Sequence, residues 1–161
     1  MVDKEHPSVA LVERELRAHG IAGEVRWFES PTPTAVAAAA ELGVEVGAIA
    51  NSLVFTLDGE PILVMTSGAH RVHTAWLGEL LGGTIGRAPA EVVREATGQV
   101  IGGVAPTGHP RQLRTLVDTA LARFPVVWAA AGHPHTVFPT TFDELLHVTH
   151  GEPVDVEPPA S

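Results

Sequence analysis

The chain has 161 residues, of which 45% are hydrophobic and 18% are charged. This length and composition are typical of one compact domain with a single core. There is no cysteine, which excludes disulfides, thiolate metal ligands and thiol nucleophiles. The 10 basic and 19 acidic residues give a formal net charge of -9, which disfavours binding along a phosphate backbone, so we expect no DNA binding. Contact with a small part of a nucleic acid remains compatible with this charge.

We expect neither a signal peptide nor a membrane span in this chain. Residues 1–7 lack the apolar core of a signal peptide, and no segment approaches the ~20 apolar residues that a membrane span needs. We therefore expect a cytoplasmic protein with no membrane attachment. We predict one domain over residues 1–150 and a Pro-rich acidic tail over 151–161, which frays from Gly151 onward.

The predicted elements follow from hydrophobic periodicity and from glycine or proline boundaries. In chain order they are a helix over 8–19, a strand over 24–28, a helix over 35–42, strands over 51–57 and 61–65, helices over 72–81 and 89–96, strands over 99–104, 113–117 and 126–130, a last hairpin, and a short helix over 141–147. Ser8 and Thr34 are the predicted caps of the first two helices. The run Asp58-Gly59-Glu60 between two apolar segments is typical of a β-hairpin turn.

These elements predict an α+β protein. Strands and helices alternate irregularly, whereas a parallel doubly wound sheet needs regular βαβ units. No repeat of 20 to 50 residues is visible, and the one low-complexity segment is the alanine run within 35–42.

Two segments are candidates for a functional site. The run 101–110 contains adjacent glycines, Gly102 and Gly103, whose amide N–H groups are unshielded by a Cβ atom. Such groups suit an ester carbonyl or a developing oxyanion, although the same glycines also fit an ordinary turn. Asn51 and Ser52 open an apolar strand, where they line a pocket, cap the strand or face water.

The order of the motifs resembles a known family. Thr34 precedes the alanine-rich helix, then come Ile-Ala-Asn-Ser-Leu-Val-Phe at 49–55, Ile-Gly-Gly-Val-Ala-Pro-Thr-Gly-His at 101–109, Val-Asp at 117–118, Val-Trp-Ala-Ala-Ala-Gly at 127–132 and Phe-Asp-Glu-Leu-Leu at 142–146. Together they resemble the YbaK/EbsC family of aminoacyl-tRNA deacylases, which is similar to the editing domain inserted in bacterial prolyl-tRNA synthetases. The resemblance spans roughly Val25 to Val148.

The resemblance implies a fold, an activity and a set of site residues. The fold is a mixed, strongly curved β-sheet or barrel-like core with surrounding helices. The activity is hydrolysis in trans of the ester on the 3′-terminal adenosine of mischarged tRNA. Only the CCA end enters the pocket, and the substrate's ribose hydroxyl activates the attack, so neither a Ser-His-Asp triad nor a cofactor is implied. The catalytic residues carried over are Gly102, Gly103 and Asn51, and the substrate-binding ones are Thr34, Ser52, Arg71, Pro106, Gly108, His109, Asp118 and His135.

Asn51 departs from the family pattern, which usually has a lysine there. Asparagine donates hydrogen bonds but brings no charge, and the chain's single lysine, Lys4, precedes the first predicted helix. A compensating cation would be an arginine, with Arg71 the first candidate and Arg111 the second, and a solvated surface charge is the alternative for each. Asp118 either orients groups around the pocket or caps the next helix.

The nine histidines raise the question of a metal site. The closest pairs are His70 with His73 and His133 with His135, but two ligands do not complete a site, and Pro134 indicates a turn between the second pair. We predict no metal. His135 lies in the last predicted hairpin, near where the pocket of the resembled family closes.

Two functions remain open at this point. One is a trans-editing deacylase that acts on the CCA end of mischarged tRNA. The alternative is a binding module that recognises an aminoacyl-adenosine or tRNA end, or docks on an aminoacyl-tRNA synthetase, and has lost turnover with the family lysine. We expect a monomer or homodimer, and the sequence does not identify the amino acid removed.

Overall fold

The computed structural model describes residues 6–30 and 34–158. Its α-helices there are α1 Pro7–Ala18, α2 Ala35–Leu42, α3 Thr74–Leu81, α4 Ala90–Thr97 and α5 Phe142–Thr149. Each lies within two residues of its predicted bounds. The predicted cap of α1 is wrong, because His6 Nδ1 accepts a hydrogen bond from Ser8 N at 3.2 Å. None of the described helices is long and apolar enough to cross a membrane.

The strands form one mixed sheet. They are β1 Arg26–Trp27, β2 Ile49–Leu57, β3 Glu60–Ser67, β4 Ile85–Arg87, β5 Arg114–Asp118, β6 Val127–Ala129, β7 Thr136–Thr140 and β8 Glu152–Val154. The order across the sheet is β1-β7-β6-β2-β3-β5-β8, and β4 pairs with β2 off this path. Strand β2 is antiparallel to β3 and parallel to β6. The predicted α+β class and mixed sheet are confirmed.

The β2–β3 hairpin is the longest ladder in the described sheet. Its register runs from Ala50 opposite Ser67 to Leu57 opposite Glu60. Asp58 and Gly59 have φ angles of 49° and 89°, as a two-residue hairpin turn with positive φ at both positions requires. The predicted hairpin is confirmed, and it fixes where each side chain of β2 points.

Alternate residues of the sheet pack against different helices, as the pleat requires. On one face, Leu63, Met65 and Val117 belong to the main core, which includes Val12 and Leu16 of α1. On the other face, neighbouring residues pack with α3 in a second core. A third, smaller cluster joins Ala38 and Ala39 of α2 to Ile49, and this contact holds α2 beside the first residues of β2.

The expected fraying from Gly151 is wrong for the described residues. Strand β8 pairs in parallel with β5, with Leu116 opposite Glu152. Val156 is fully buried in the second core, and its carbonyl accepts a hydrogen bond from His73 N at 2.8 Å. The prediction rested on the acidic composition of this segment. It did not take account of Val154 and Val156, two apolar residues at strand spacing that pack in the second core.

Candidate active site

A cleft opens beside the first residues of β2, where α2, the loop 100–105 and strands β6 and β7 meet. The cleft is small, with an internal volume of about 40 Å³. The lining residues are Thr34, Ala35, Ala38, Ile49, Ala50, Asn51, Ser52, Gly102, Val104, Trp128, Ala130, Thr136 and Val137. The structure thus brings together four predicted site residues from separate parts of the chain: Thr34, Asn51, Ser52 and Gly102.

The cleft lies at an open edge of β2. This strand pairs with β6 at Ile49 and Ala50 and with β4 from Phe55 to Leu57, so residues 51–54 have no neighbour among the described strands on that side. The Ile49 carbonyl accepts from Gly68 N on the β3 side at 2.8 Å. Because backbone groups alternate in direction along a strand, those of Ser52 and Val54 point to the open side. The edge therefore supplies hydrogen-bonding groups that none of the described strands uses.

The loop 100–105 forms the opposite wall, and the predicted strand over 99–104 is wrong. The buried Gln99 side chain holds the loop instead: its Oε1 accepts from Ala105 N at 2.8 Å and its Nε2 donates to Thr107 O at 3.3 Å. These bonds replace those that a strand partner would make. Gly102 has a φ of 91°, a left-handed conformation that favours glycine, and it lines the cleft.

Gly103 has a different role from the one predicted. Its N–H donates to Val100 O at 3.0 Å, so it is not free to stabilise an oxyanion. A Cβ atom added here would lie 2.6 Å from the His133 carbonyl carbon and 2.7 Å from Pro134 N. Gly103 is therefore a packing residue that lets the loop approach the backbone of residues 133–134.

The polar side chains of the cleft differ in whether they already make hydrogen bonds within the protein. Thr34 caps α2, as predicted, since its Oγ1 accepts from Ala37 N at 3.1 Å. Ser52 Oγ contacts Met65 Sδ at 3.3 Å. Asn51 is half-buried and stands opposite Thr66 in the β2–β3 ladder. The structure gives no hydrogen bond from the Asn51 side chain to another described residue, so its amide is available to a ligand.

The described residues that line the cleft include no charged side chain. Arg71 is exposed, its backbone N–H donates to Glu157 Oε2 at 2.9 Å, and it does not line the cleft. Arg111 lines a larger groove of about 350 Å³ beside α4, and Asn51 is not among the residues that line this groove. Arg26 is exposed and does not line the cleft either, although its partner in the β1–β7 ladder is Val137, a cleft residue.

Asp118 is fully buried beneath the end of β3. Its Oδ1 accepts from Ala120 N at 3.0 Å, and its Oδ2 accepts from Ser67 N at 3.0 Å and contacts His70 Nδ1 at 2.9 Å. The carboxylate therefore caps the 3₁₀ turn 119–123, which was one of its two predicted roles. It does not line the cleft.

Pro106, Gly108 and His109 lie on the far side of the loop. They line a separate cavity near α1 and the end of α5, and none of them lines the cleft with Gly102. A Cβ atom on Gly108 would come within 2.9 Å of Val12 Cγ2. Gly102 and Pro106, both predicted site residues of the 101–110 run, thus lie on two different surfaces.

The surroundings of His109 favour its neutral form. Burial lowers the pKa of its imidazole below the usual 6.5, and the hydrogen bond to the Ala105 carbonyl opposes that shift. His109 Nε2 lies 2.9 Å from that carbonyl, so the neutral ring carries its proton on Nε2. Because burial disfavours the charged ring, the folded state binds the second ring proton, on Nδ1, less well than the unfolded state does.

We expect His109 to make the protein less stable as the pH falls below about 6.5, since the unfolded state then takes up a proton that the folded state resists, with a slope of at most about 1.4 kcal/mol per pH unit. The measurement is urea unfolding of the wild type and of His109→Gln at pH 7.5 and pH 5.5. The difference in unfolding free energy between the two should shrink at the lower pH. His147→Gln, which changes an exposed histidine, is the control, and a pH-independent difference for His109→Gln would contradict the expectation.

The other predicted histidines are engaged in local contacts. His135 Nδ1 donates to the Phe28 carbonyl at 3.0 Å, and His135 adjoins the cleft residue Thr136 without lining the cleft itself. His73 Nδ1 caps α3 by accepting from Trp76 N at 3.1 Å, whereas His70 contacts Asp118. The described residues contain no group of three or more His, Asp or Glu side chains placed to hold a metal ion.

The sequence did not predict that residues of β6, β7 and the segment between them line one side of the cleft. Trp128, Ala130, Thr136 and Val137 line the cleft, but they lie in apolar runs that predict core strands. Trp128 packs against the α2 cluster and is partly exposed. The parallel pairing of Trp128 with Ile49 brings this wall to Asn51, and a pairing between strands so distant in sequence leaves no local signal.

Comparison with known proteins identifies the family of the chain. Residues 29–148 match the family described as the aminoacyl-tRNA editing domain, and the matched region contains every described residue that lines the cleft. The chain belongs to this family of aminoacyl-tRNA editing domains.

Three relatives show how the chain compares with whole proteins. The crystal structure of a candidate trans-editing enzyme for prolyl-tRNA synthetase superposes with a TM-score of 0.88 at 38% identity, covering 94% of this chain and 98% of the other. The uncharacterized protein YwhH of Bacillus subtilis is 31% identical over 76% of this chain and 78% of its own length. The proline–tRNA ligase of Geobacter sulfurreducens is 28% identical over 70% of this chain, but the match spans only 21% of the ligase.

Proposed function

We propose that this protein hydrolyses the ester between a wrongly attached amino acid and the 3′-terminal adenosine of a tRNA. The observation that carries the proposal is the cleft between the open edge of β2 and the Gly102 loop, with Asn51 and Ser52 on one wall and Gly102 on the other. Family membership supports the same chemistry. Action in trans is supported by the likeness to the candidate trans-editing enzyme over nearly its full length.

The cleft offers donors for an ester rather than a nucleophile. Water adds to the ester carbonyl, the bond to the ribose 3′-oxygen breaks, and that oxygen leaves as a hydroxyl. The outward N–H of Ser52 and the amide of Gly102 are suited to the carbonyl oxygen as negative charge develops on it. The Asn51 amide is suited to the ribose hydroxyls. A 2′-hydroxyl of the substrate then completes the activation of water, since the cleft-lining residues include no acid or base.

The uncharged cleft also suits the part of the tRNA that would enter. An aminoacylated 3′-terminal adenosine presents an ester, hydroxyl groups and a base, which hydrogen bonds and apolar contacts can bind. Long phosphate tracts would be repelled by the net charge of -9. The protein therefore contacts only the CCA end of mischarged tRNA, and it binds neither DNA nor a membrane.

The direct test is release of amino acid from a panel of mischarged tRNAs, measured against the rate in buffer. We expect release from at least one member, and no release across the panel would reject the proposal. Gly102→Val should lower the rate because the side chain enters the cleft. Gly82→Val is the matched control: Gly82 has a similar left-handed φ of 73°, lies at the end of α3 and does not line the cleft.

A specific observation favours one alternative function. With Asn51 in the position of the family lysine and no charge among the described cleft residues, the cleft could bind an aminoacyl-adenosine without turning it over. Tight binding of a non-hydrolysable analogue, together with no release by the wild type and release by Asn51→Lys, would support this binding module. Release by the wild type that Asn51→Ala reduces would support the enzyme.

A further inference from the structure

Four aromatic rings cluster beside the cleft, in β1, the 133–135 turn and the residue before α1. The ring of His133 lies at the centre, with its centroid 5.3 Å from Trp27, 5.2 Å from His135 and 5.0 Å from His6. All four residues are half-buried, so part of the cluster is open to solvent. Of these four residues, only His135 was a predicted site residue, and none of the four lines the cleft.

Hydrogen bonds fix the orientation of the imidazoles. His133 Nδ1 accepts from His135 N at 3.0 Å, His135 Nδ1 donates to Phe28 O at 3.0 Å, and His6 Nδ1 accepts from Ser8 N at 3.2 Å. Rings held in this way lose little further entropy when a ligand binds. The cluster is therefore a preorganised surface.

Two backbone contacts join this cluster to the cleft. Trp27 stands opposite Thr136 in the β1–β7 ladder, and Thr136 lines the cleft. The backbone of His133 packs directly against Gly103, the residue after Gly102. Trp27 and His133 therefore lie next to two parts of the cleft, Thr136 and the loop that contains Gly102.

Trp27 differs from a tryptophan with a structural role. Its indole N–H makes no hydrogen bond with any described residue, whereas the Trp76 indole donates to Asp155 O at 3.1 Å. A half-buried ring with an unused donor suits a planar ligand that has both a π-face and acceptor atoms. Unpaired nucleobases have these properties, and proteins bind them by stacking on aromatic side chains.

We propose that the ring cluster of Trp27, His6, His133 and His135 binds the base of the nucleotide that precedes the 3′-terminal adenosine. The inference rests on the proposed function, because that function places the terminal adenosine in the cleft and directs the next nucleotide outward. Trp27 supplies the stacking face. Stacking provides affinity where the net charge of -9 weakens phosphate contacts.

The test compares two esters of the same amino acid, one on adenosine and one on the dinucleotide CpA. The quantity measured is the ratio of kcat/KM on the dinucleotide to that on the mononucleotide, which cancels general damage to the active site. We expect Trp27→Ala to lower this ratio about tenfold, within the range for loss of one base–aromatic stack. Trp27→Phe, which keeps a ring, should recover most of it. Trp76→Phe, on α3 and outside the cleft lining, is the control and should leave the ratio unchanged.

An unchanged ratio in Trp27→Ala would overturn the inference, even if both rates fell. Binding of unacylated CpA and of adenosine is titrated in parallel, so that the ring cluster is tested even if the wild type cleaves neither ester. In that case the proposed function fails, while a wild-type preference for CpA that Trp27→Ala abolishes would still support the base site. Equal affinity of the wild type for CpA and adenosine would refute it.

Discussion

Replacing Gly103 with alanine is expected to lower deacylation by about 100-fold, the loss that a misplacement of about 1 Å can cause in an active site. The added Cβ would lie 2.6 Å from the His133 carbonyl carbon, 2.7 Å from Pro134 N and 2.8 Å from His133 Cα. All three are backbone atoms, so no side-chain rotation relieves the contact. The loop must move away from residues 133–134, and Gly102 moves with it.

The measurement is kcat/KM for the folded Gly103→Ala protein, with folding verified by circular dichroism and thermal unfolding. Gly78→Ala is the matched control, because a Cβ there would lie 2.7 Å from the Gly83 carbonyl oxygen, an equally close backbone contact. Gly78 belongs to α3 and does not line the cleft, so its variant should keep its activity per folded molecule. Full activity in Gly103→Ala would mean that the loop position does not control the ester site.

The elements that sequence alone predicted are those with local signals. The hairpin turn at Asp58 and Gly59 follows from residues that adopt positive φ between two apolar runs, and the structure has both angles positive. The helix bounds follow from apolar periodicity and terminal glycines. Thr34 was identified as a cap because its hydroxyl can accept an amide of the next turn, and it does.

The errors arose where a distant partner decides the local structure. The apolar run at 99–104 has strand composition, but no strand forms there. The Gln99 side chain instead accepts a hydrogen bond from Ala105 N and donates one to Thr107 O. The segment after Gly151 has the composition of a tail, because acidic residues and prolines surround Val154 and Val156. In the structure, part of this segment forms β8, which pairs with the edge of β5. Local sequence patterns predict neither the hydrogen bonds of Gln99 nor the pairing of β8 with β5.

The sequence predicted the candidate site only in part, because the position of its loop depends on tertiary contacts. Resemblance to a family paired Asn51 with Gly102, and the structure places both on one cleft. It also grouped Gly102 with Pro106, which the structure separates. A linear motif states which residues occur together, but the direction of each side chain depends on how the loop is bonded.

The sequence left two roles open for Asp118, capping the next helix and orienting groups around the pocket. The buried carboxylate accepts from two backbone amides, Ser67 N and Ala120 N. Ser67 lies opposite Ala50 in the β2–β3 ladder, so this hydrogen bonding supports the end of β3 next to the cleft. A supporting residue and a substrate-binding residue predict different results on substitution.

Asp118→Ala is expected to lower the free energy of unfolding by about 3 to 5 kcal/mol, because it leaves the buried amides of Ser67 and Ala120 without an acceptor. Urea unfolding measures this loss, and Asp58→Asn is the control, since the exposed Asp58 carboxylate accepts a single amide, Thr84 N, at 2.9 Å and should cost less than about 1 kcal/mol. Asp118→Asn keeps one carbonyl oxygen as an acceptor and turns an amide donor toward the remaining N–H. Its loss of stability should therefore be intermediate, and its KM should stay near that of the wild type at temperatures where it is folded. A stable Asp118→Asn protein with a strongly raised KM would instead show that the carboxylate acts on the substrate.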